Sequence, residues 1–590
     1  MPDDHPLAPE PSMKQVVLRR GEPLVAEVPA PSPQPGRVLV ANLASVISSG
    51  TERAAVSDGG GSLPMRAVRN PDLVLLTLRH AREHGVRETV ELVRNSTSED
   101  TTLGYSCAGI VLDTGGLGDF FVGQAVACVG AGHANHAEVV SVPGNLVAPV
   151  PPNVPLRDAA FTTLGAIAMQ GVRRAQASLG ERVAVIGLGL LGLFTVQILR
   201  AAGCVVIGVE PDPSRRELGI RLGVEQALAP EGAVERVREW SGGPGVDTAI
   251  VTASASSSAI VNDAVTMVRR KGRVVPLGDV GLAFDREGLY QREADVLIST
   301  SYGPGRYDPI YEQAGVDYPL AYVRWTENRN MAEFLRLLAA NLLAVEPLVG
   351  SESPIEQAVD AYAMLSSEPP PLAVVLHYPD SDKHAVDRSQ SVPTAATPRH
   401  GRSTDSHSVR VGVVGPGSFV RAVHLANLRA DGDAPIVAVA ARRGTVASDV
   451  ARATGDRAMA FTDWRSVVEH PDVDLVLIGT RHDSHAEIAA AGRALAQRPP
   501  PGRQAHPGRG LSFPRLRRLA LRRAVERVRD RGAQPPKCPH GGECEHHRGL
   551  RDRLVGELAL FPHSGGPACR RSESKSWPAA ARGCSTTFSV

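Results

Sequence analysis

The stretch VAVIGLGLLGLFTVQILRAAGCVVIGVEPD, Val183 to Asp212, decides how the rest of this chain is read. Its first apolar run, Val183 to Ile186, is short and rich in β-branched residues, as a strand buried on both faces of a parallel sheet requires. A glycine-rich turn follows. Gly187 allows a tight turn, Gly189 lets the backbone approach a pyrophosphate, and Gly192 lets the next helix pack closely on the strand. Free N–H groups at the start of that helix are placed to receive phosphates. A second strand, Cys204 to Val209, ends in Glu210, where an acid accepts hydrogen bonds from ribose hydroxyls. Strand, turn, helix, strand and terminal acid fall in order, which predicts a dinucleotide-binding unit rather than a merely structural glycine turn.

Around this unit, the 590 residues exceed what one hydrophobic core accommodates, so several domains are expected. A formal net charge of +1 gives no global attraction for nucleic acid or an anionic membrane. MPDDHPLAPEPSMK lacks the basic and apolar regions of a signal peptide, and no apolar run reaches membrane-spanning length. The seven cysteines are scattered, which fits a reducing cytoplasm rather than a disulfide framework.

In chain order, residues 1–12 are Pro-rich and read as disordered. From Lys14 to Val150, alternating strands (QVVLRR, RVLVANLAS, VGQAVACVG, HAEVVSV) broken by Gly and Pro turns read as a compact antiparallel β domain. A helical insert is predicted over 70–95, and a connecting helix over Asp158 to Arg174. The βα alternation continues through VDTAIVTAS and GRVVPLGDV until about Ser301, after which the chain is expected to return to the first domain. The expected division is therefore a β domain over 13–177 completed by 302–378, with the dinucleotide-binding domain over 178–301.

This order resembles the medium-chain dehydrogenase/reductases of the alcohol dehydrogenase superfamily, over about residues 14–378. The resemblance implies a GroES-like β domain joined to a Rossmann domain that binds NAD. Members often hold a catalytic zinc through Cys-Gly-Thr-Asp and Gly-His-Glu segments, matched here by Ser49-Gly50-Thr51-Glu52 and Gly104-Tyr105-Ser106. Zinc needs thiolate, imidazole or carboxylate ligands, and Ser49, Tyr105 and Ser106 supply none, so no zinc is expected. Another group must then polarise the substrate oxygen or carry its proton. Thr51 matches the family's proton-relay hydroxyl, and Tyr105 stands where a ligand faced the substrate, so Thr51, Tyr105 and Ser49 are the catalytic candidates. A phenol that only fills space is the plain alternative for Tyr105. His133 and His136, in GHANHAEVV, would point to opposite faces of an alternating strand and are not expected to bind metal.

The run from Ser299 to Asn330 gathers rings and guanidinium groups in a chain otherwise poor in aromatics, including Tyr302, Arg306, Tyr307, Arg324 and Trp325. Such groups suit stacking on sugar faces and pairing with carboxylate or phosphate, and equally suit an interface between protomers of a homo-oligomer. The segment resembles the dehydrogenase half of two-part bacterial oxidoreductases found among surface-polysaccharide genes.

Residues 379–407 have a linker composition. Beyond them VRVGVVGPGSFVRAVHLANL opens a second cofactor unit, with Gly415 and Gly417 in the turn and Val420 where a third glycine would stand. Its next strand ends in Ala441-Arg442-Arg443, and two arginines there favour a 2′-phosphate, hence NADP. Residues 408–497 resemble the Gfo/Idh/MocA family of glucose-fructose oxidoreductases and inositol dehydrogenases, without that family's Glu-Lys-Pro segment or substrate sheet. From Arg498 to Val590 the texture turns Arg- and Pro-rich. Two readings stand for this tail: a disordered Arg-rich extension, or translation out of frame from about Gln497. The function expected is zinc-independent, NAD(P)-dependent hydride transfer to or from a sugar, cyclitol or nucleotide-linked sugar. Enone or quinone reduction and a non-catalytic cofactor scaffold are the alternatives.

Overall fold

The computed structural model describes residues 12–50, 52, 100–379, 409–425, 427–428, 434–454 and 458–496. Residues 1–11 of the start read as disordered, Thr51, the predicted helical insert, the linker from residue 380 on and the tail lie outside the described residues.

The first β domain is built on β3 (Arg37–Ser48), an almost continuously buried strand that pairs antiparallel with β5 (Ser106–Asp113) on one side. Beyond β5 lie β6 (Ala125–Val129) and β8 (Val147–Pro149), while β7 (Val139–Pro143) pairs with the start of β3. On the other side, β16 (Ala373–His377) returns from late in the chain to pair with the end of β3, and β15 (Ser351–Pro354) completes the sheet. A smaller sheet of β1 (Ser12–Arg19), β2 (Glu22–Pro29) and β4 (Thr101–Thr102) leans on it. Alternating strands joined by short turns give this antiparallel pairing, and the late strand closes a surface that would otherwise be an open edge.

The glycine-rich unit sits in a parallel sheet ordered β11-β10-β9-β12-β13-β14. Its strands are β9 (Arg182–Ile186), β10 (Val205–Val209), β11 (Gln226–Leu228), β12 (Val246–Val251), β13 (Val268–Pro276) and β14 (Asp295–Val296). The strand order reverses between β9 and β12, which opens a crevice at their carboxyl ends. A second parallel sheet, ordered β19-β18-β17-β20, is formed by β17 (Val411–Val414), β18 (Ile436–Ala440), β19 (Met459–Phe461) and β20 (Leu475–Ile478).

Helix α1 (Thr162–Ala175) bridges the β domain and the first parallel sheet, starting after a break at Ala160 and Phe161 where the sequence predicted one continuous helix. It packs on α2 (Leu190–Ala201), the helix after the glycine turn, and on α3 (Glu327–Ala339). Phe161, Phe194 and Phe334 make successive edge-to-face contacts at 6.0 and 5.3 Å between ring centres, and Gly165 leaves the space that the Phe334 ring enters. The first β domain and the cofactor sheet thus share one core.

Candidate active site

The phosphate turn follows β9 directly. Gly187 has φ +99°, in the region that side chains disfavour, and a Cβ there would stand 2.7 Å from the Ala253 amide nitrogen. At Gly192 a Cβ would fall 1.9 Å from the Gly187 carbonyl oxygen, so only glycine lets α2 approach the turn. A Cβ at Gly189 would meet nothing within 4 Å, so the backbone there faces open space at the N-cap of α2. These are the properties of a pyrophosphate cradle.

Glu210 follows β10 and is almost wholly buried. One carboxylate oxygen accepts from Leu188 N at 2.7 Å, inside the glycine turn, and the other from Asp212 N at 3.1 Å. The acid is thereby fixed beside the turn, where it can also accept from ribose hydroxyls. Arg216 donates to the Glu210 and Pro211 carbonyl oxygens at 2.7 and 2.6 Å, so a guanidinium stands at the same strand end.

The catalytic candidates lie where β3 and β5 meet. The Tyr105 and Ser48 hydroxyls are 2.8 Å apart. Thr163 on α1 donates to the Tyr105 carbonyl at 2.9 Å, and its amide donates to Ser106 Oγ at 3.2 Å. Ser106 Oγ is turned away, donating to the Ala160 carbonyl at 2.6 Å, and Ser49 Oγ donates to the Leu372 carbonyl at 3.3 Å. Of the sequence candidates, Tyr105 thus presents a hydroxyl paired with another hydroxyl, while Ser49 is engaged with main chain. Thr51 is outside the described residues. The set of hydroxyls Ser49, Tyr105 and Ser106 does not fit a zinc ion, whose ligands are thiolate, imidazole or carboxylate. Among the described residues no group of three His, Cys, Asp or Glu side chains converges as a metal site would need.

His136 takes part in a buried network that the sequence does not disclose. The segment before Val139 is a turn, not an alternating strand, so the two histidines are not held on opposite strand faces. His136 is fully buried, with Nδ1 2.7 Å from Ser45 Oγ and Nε2 3.2 Å from Glu52 Oε1. Tyr362, on α4 (Ala358–Met364), donates to Glu52 Oε2 at 2.7 Å, and Tyr378 Oη lies 2.7 Å from Ser45 Oγ. Burial and the Glu52 carboxylate push the Tyr362 phenol well up, so it stays protonated as a donor. A Cβ on Gly104 would strike the His136 amide at 2.5 Å, so this buried network presses directly on the residue before Tyr105. His133, by contrast, meets Arg37 Nη2 at 3.0 Å.

In the aromatic segment the guanidinium groups lie against the rings. The Arg173 and Arg324 guanidinium carbons lie 3.2 and 3.7 Å from the Trp325 ring centre. Arg306 sits 4.1 Å from the centre of Tyr307, which is exposed, and 5.2 Å from that of Tyr302, which is buried. It also pairs with Glu312 at 2.6 Å. Trp325 is therefore covered rather than presented for sugar stacking, while Tyr307 and Tyr322 remain open on the surface.

In the second unit, Gly415 has φ +76° and a Cβ on Gly417 would meet nothing within 4 Å. Val420 occupies the third glycine position because Gly479, after β20, yields the space: a Cβ there would be 2.2 Å from Val420 Cγ2. The helix beginning there is π-wound over Val420–Leu425. Arg442 and Arg443 stand exposed after β18.

Residues 191–314 match the family model "Zinc-binding dehydrogenase", and residues 409–496 match "Oxidoreductase family, NAD-binding Rossmann fold", the Gfo/Idh/MocA model. The chain thus matches two oxidoreductase family models, each over part of its length. Its dehydrogenase module is similar to 2-dehydro-3-deoxy-L-galactonate 5-dehydrogenase of Pseudoalteromonas atlantica, 23% identical over 37% of this chain and 58% of the relative. It is also similar to D-guloside 3-dehydrogenase of Escherichia coli, 30% identical over 25% of this chain and 44% of the relative. The chain thus spans about half the length of these curated relatives. Among solved structures, an Escherichia coli oxidoreductase of unknown specificity aligns over 62% of this chain and all of its own, at 15% identity and a TM-score of 0.49. The Gfo/Idh/MocA match ends at residue 496, next to the change in texture at Arg498.

Proposed function

We propose that the protein is an NAD(P)-dependent oxidoreductase whose dehydrogenase module oxidises or reduces one carbon of a sugar, cyclitol or nucleotide-linked sugar without zinc. The observation that carries the reading is the cradle from Gly187 to Gly192, with Glu210 bonded to its Leu188 amide. A nicotinamide cofactor bound there supplies the hydride acceptor or donor. The chain's own residues handle the proton: Tyr105 Oη, held by Ser48 Oγ, is the donor and acceptor for the substrate oxygen. The buried Glu52–His136–Ser45 network fixes the Gly104–Tyr105 backbone. Glu210 favours NAD in this module, and Arg442 and Arg443 favour NADP in the second. Relatives named as sugar-acid and guloside dehydrogenases support a polyhydroxylated substrate. The same reading places the protein in the reducing cytoplasm, in surface-polysaccharide metabolism, and as a homo-oligomer. Free Cys107, Cys128 and Cys204, and exposed Tyr307, Ile310, Leu320 and Tyr322, support parts of it. Among the described residues, no helix is long and apolar enough to cross a membrane.

The test is a panel of sugars, cyclitols and nucleotide-linked sugars, followed by NADH absorbance with zinc chelated throughout. Turnover that Tyr105→Phe removes supports the reading. Enone turnover alone would point to the double-bond reductase, and cofactor binding without any turnover to a scaffold.

A further inference from the structure

The second module meets the first through specific contacts. Thr462, after β19, donates to the Ala30 carbonyl at 2.6 Å, and its hydroxyl lies 2.8 Å from Ser32 Oγ. Gly444 opens α5 (Gly444–Thr454) against the Pro29 carbonyl, which a Cβ there would approach to 2.2 Å. Further along α5, Arg452 donates to Asp100 Oδ2 at 2.9 Å and pairs with Asp449, whose Oδ2 accepts from the Asp100 amide at 2.9 Å. From the first module, Arg19 at the end of β1 donates to the same Asp100 carboxylate at 2.8 and 2.6 Å.

The Asp100 side chain is 1% exposed. Burial works to raise its carboxyl, but the Arg19 and Arg452 guanidinium groups overcome that and hold it below its ordinary value. It therefore stays ionised, and losing Arg452 would leave a buried charge short of a partner.

The chain beyond Asp100 has no slack. Thr101 and Thr102 form β4, paired with Leu18 and Val17 of β1. Leu103 N donates to the Val16 carbonyl at 3.3 Å, and the Leu103 carbonyl accepts from His136 N at 2.9 Å. Gly104 lies against His136, where a Cβ would stand 2.5 Å from the amide nitrogen. The Tyr105 carbonyl is held by Gly130 N at 3.0 Å and by Thr163 Oγ1 at 2.9 Å. Asp100 is five residues from Tyr105, at most about 16 Å at roughly 3.3 Å per extended residue. A segment pinned at every step passes a displacement on instead of absorbing it.

We propose that Arg452 of the second module, acting through Asp100, is a positioning residue for Tyr105 of the first, so that contact with the second module sets the geometry of the dehydrogenase site. Its consequence for turnover rests on the reading of Tyr105 as the proton group, whereas the coupling itself is measured without substrate.

The experiment uses the full chain with carbon-13 placed at the tyrosine ring carbon that bears the hydroxyl, the Tyr105 resonance being assigned by its loss in Tyr105→Phe. Amide hydrogen exchange over residues 100–106 and melting temperatures are recorded in parallel. Arg452 is 48% exposed, so its variants should fold. Arg452→Gln is expected to move the Tyr105 resonance and to speed exchange over the segment about tenfold, as loss of a charged hydrogen bond would. Arg452→Lys keeps the charge and should restore most of both. Thr462→Val loosens the contact elsewhere without touching Asp100, and should leave both unchanged. A folded Arg452→Gln protein with the parent resonance and exchange would overturn the proposal. Equal changes in Thr462→Val would overturn it too, because the effect would then belong to module contact in general. Failure of the catalytic reading looks different: Tyr105→Phe would keep its turnover while the coupling, read by resonance and exchange, stands.

Discussion

The two glycine turns solve one steric problem in different ways. In the first, Gly192 clears the Gly187 carbonyl, an obstacle made of backbone. In the second, Val420 keeps its side chain and the neighbouring strand end gives way through Gly479. The space between helix and turn is therefore a property of a pair of positions, and a missing third glycine does not by itself disqualify a turn. The strand ends differ more deeply. Glu210 is buried and bonded into its own turn, whereas Arg442 and Arg443 stand exposed after β18.

The largest effects should come from breaking this steric contrast. Gly192→Ala is expected to abolish NADH binding at the first site or to prevent folding, because the 1.9 Å approach is to a carbonyl that cannot move aside. Gly479→Ala should weaken the second site severely, and Val420→Ala should rescue it in part. It removes the obstacle at 2.2 Å and leaves the Gly415 carbonyl at 2.7 Å and the Cβ of residue 420 at 3.4 Å. Thermal melts and cofactor titrations of the single and double variants check both expectations. A Gly192→Ala protein that binds NADH normally would refute the backbone argument.

Next in size is Tyr105→Phe, which should lower kcat by about 10²- to 10³-fold with KM little changed, as loss of a proton-transfer group does. If the ring only fills space, activity would survive. Smaller again is the effect at the strand end. Glu210→Ala should narrow the preference for NAD over NADP by roughly tenfold, read from KM values, while loosening the turn through the lost Leu188 bond. A lower KM for NADP than for NAD in the unaltered protein would reverse the cofactor assignment.

What the sequence disclosed follows from the range of the interactions. The strands β9, β10 and β18 were legible because their apolar runs and glycine turns are local patterns. The Glu52–His136 pair was not, since its partners are 84 residues apart and the Tyr362 donor is 310 residues from Glu52. GHANHAEVV looked like a strand from its ending, and only the sheet shows pairing of β7 with β3 beginning at Val139. The aromatic run was visible as a cluster, but Arg173, which covers Trp325, comes from α1, so the sequence could not disclose that the ring was already occupied. Gly479 is likewise remote from Val420, and nothing local marks it as the compensating residue.

The smallest effect separates the two modules by pH. Glu327, in the first turn of α3, is fully buried, and burial together with neighbouring Glu312 pushes its carboxyl up to about 9, with Arg306 opposing. A folded-state value above the unfolded one means the folded protein holds the proton longer, so stability falls as pH rises from about 4.5 towards 9. Asp449, which accepts from the Asp100 amide, is raised only to about 6, so above that its contribution no longer changes with pH. His133, His424 and His470 are lowered, so their contribution changes only below their ordinary value of 6.5. Between pH 7 and 9 the decline that the described residues contribute therefore belongs to Glu327 and to the first module. Glu327→Gln should raise the melting temperature of that module by a few degrees at pH 8.5, equivalent to roughly 1–3 kcal/mol, and by less at pH 6. The second module's transition should not move. Differential scanning calorimetry across this range resolves the two, and a Glu327→Gln protein as pH-sensitive as the parent would show that the carboxyl is already ionised in the folded state.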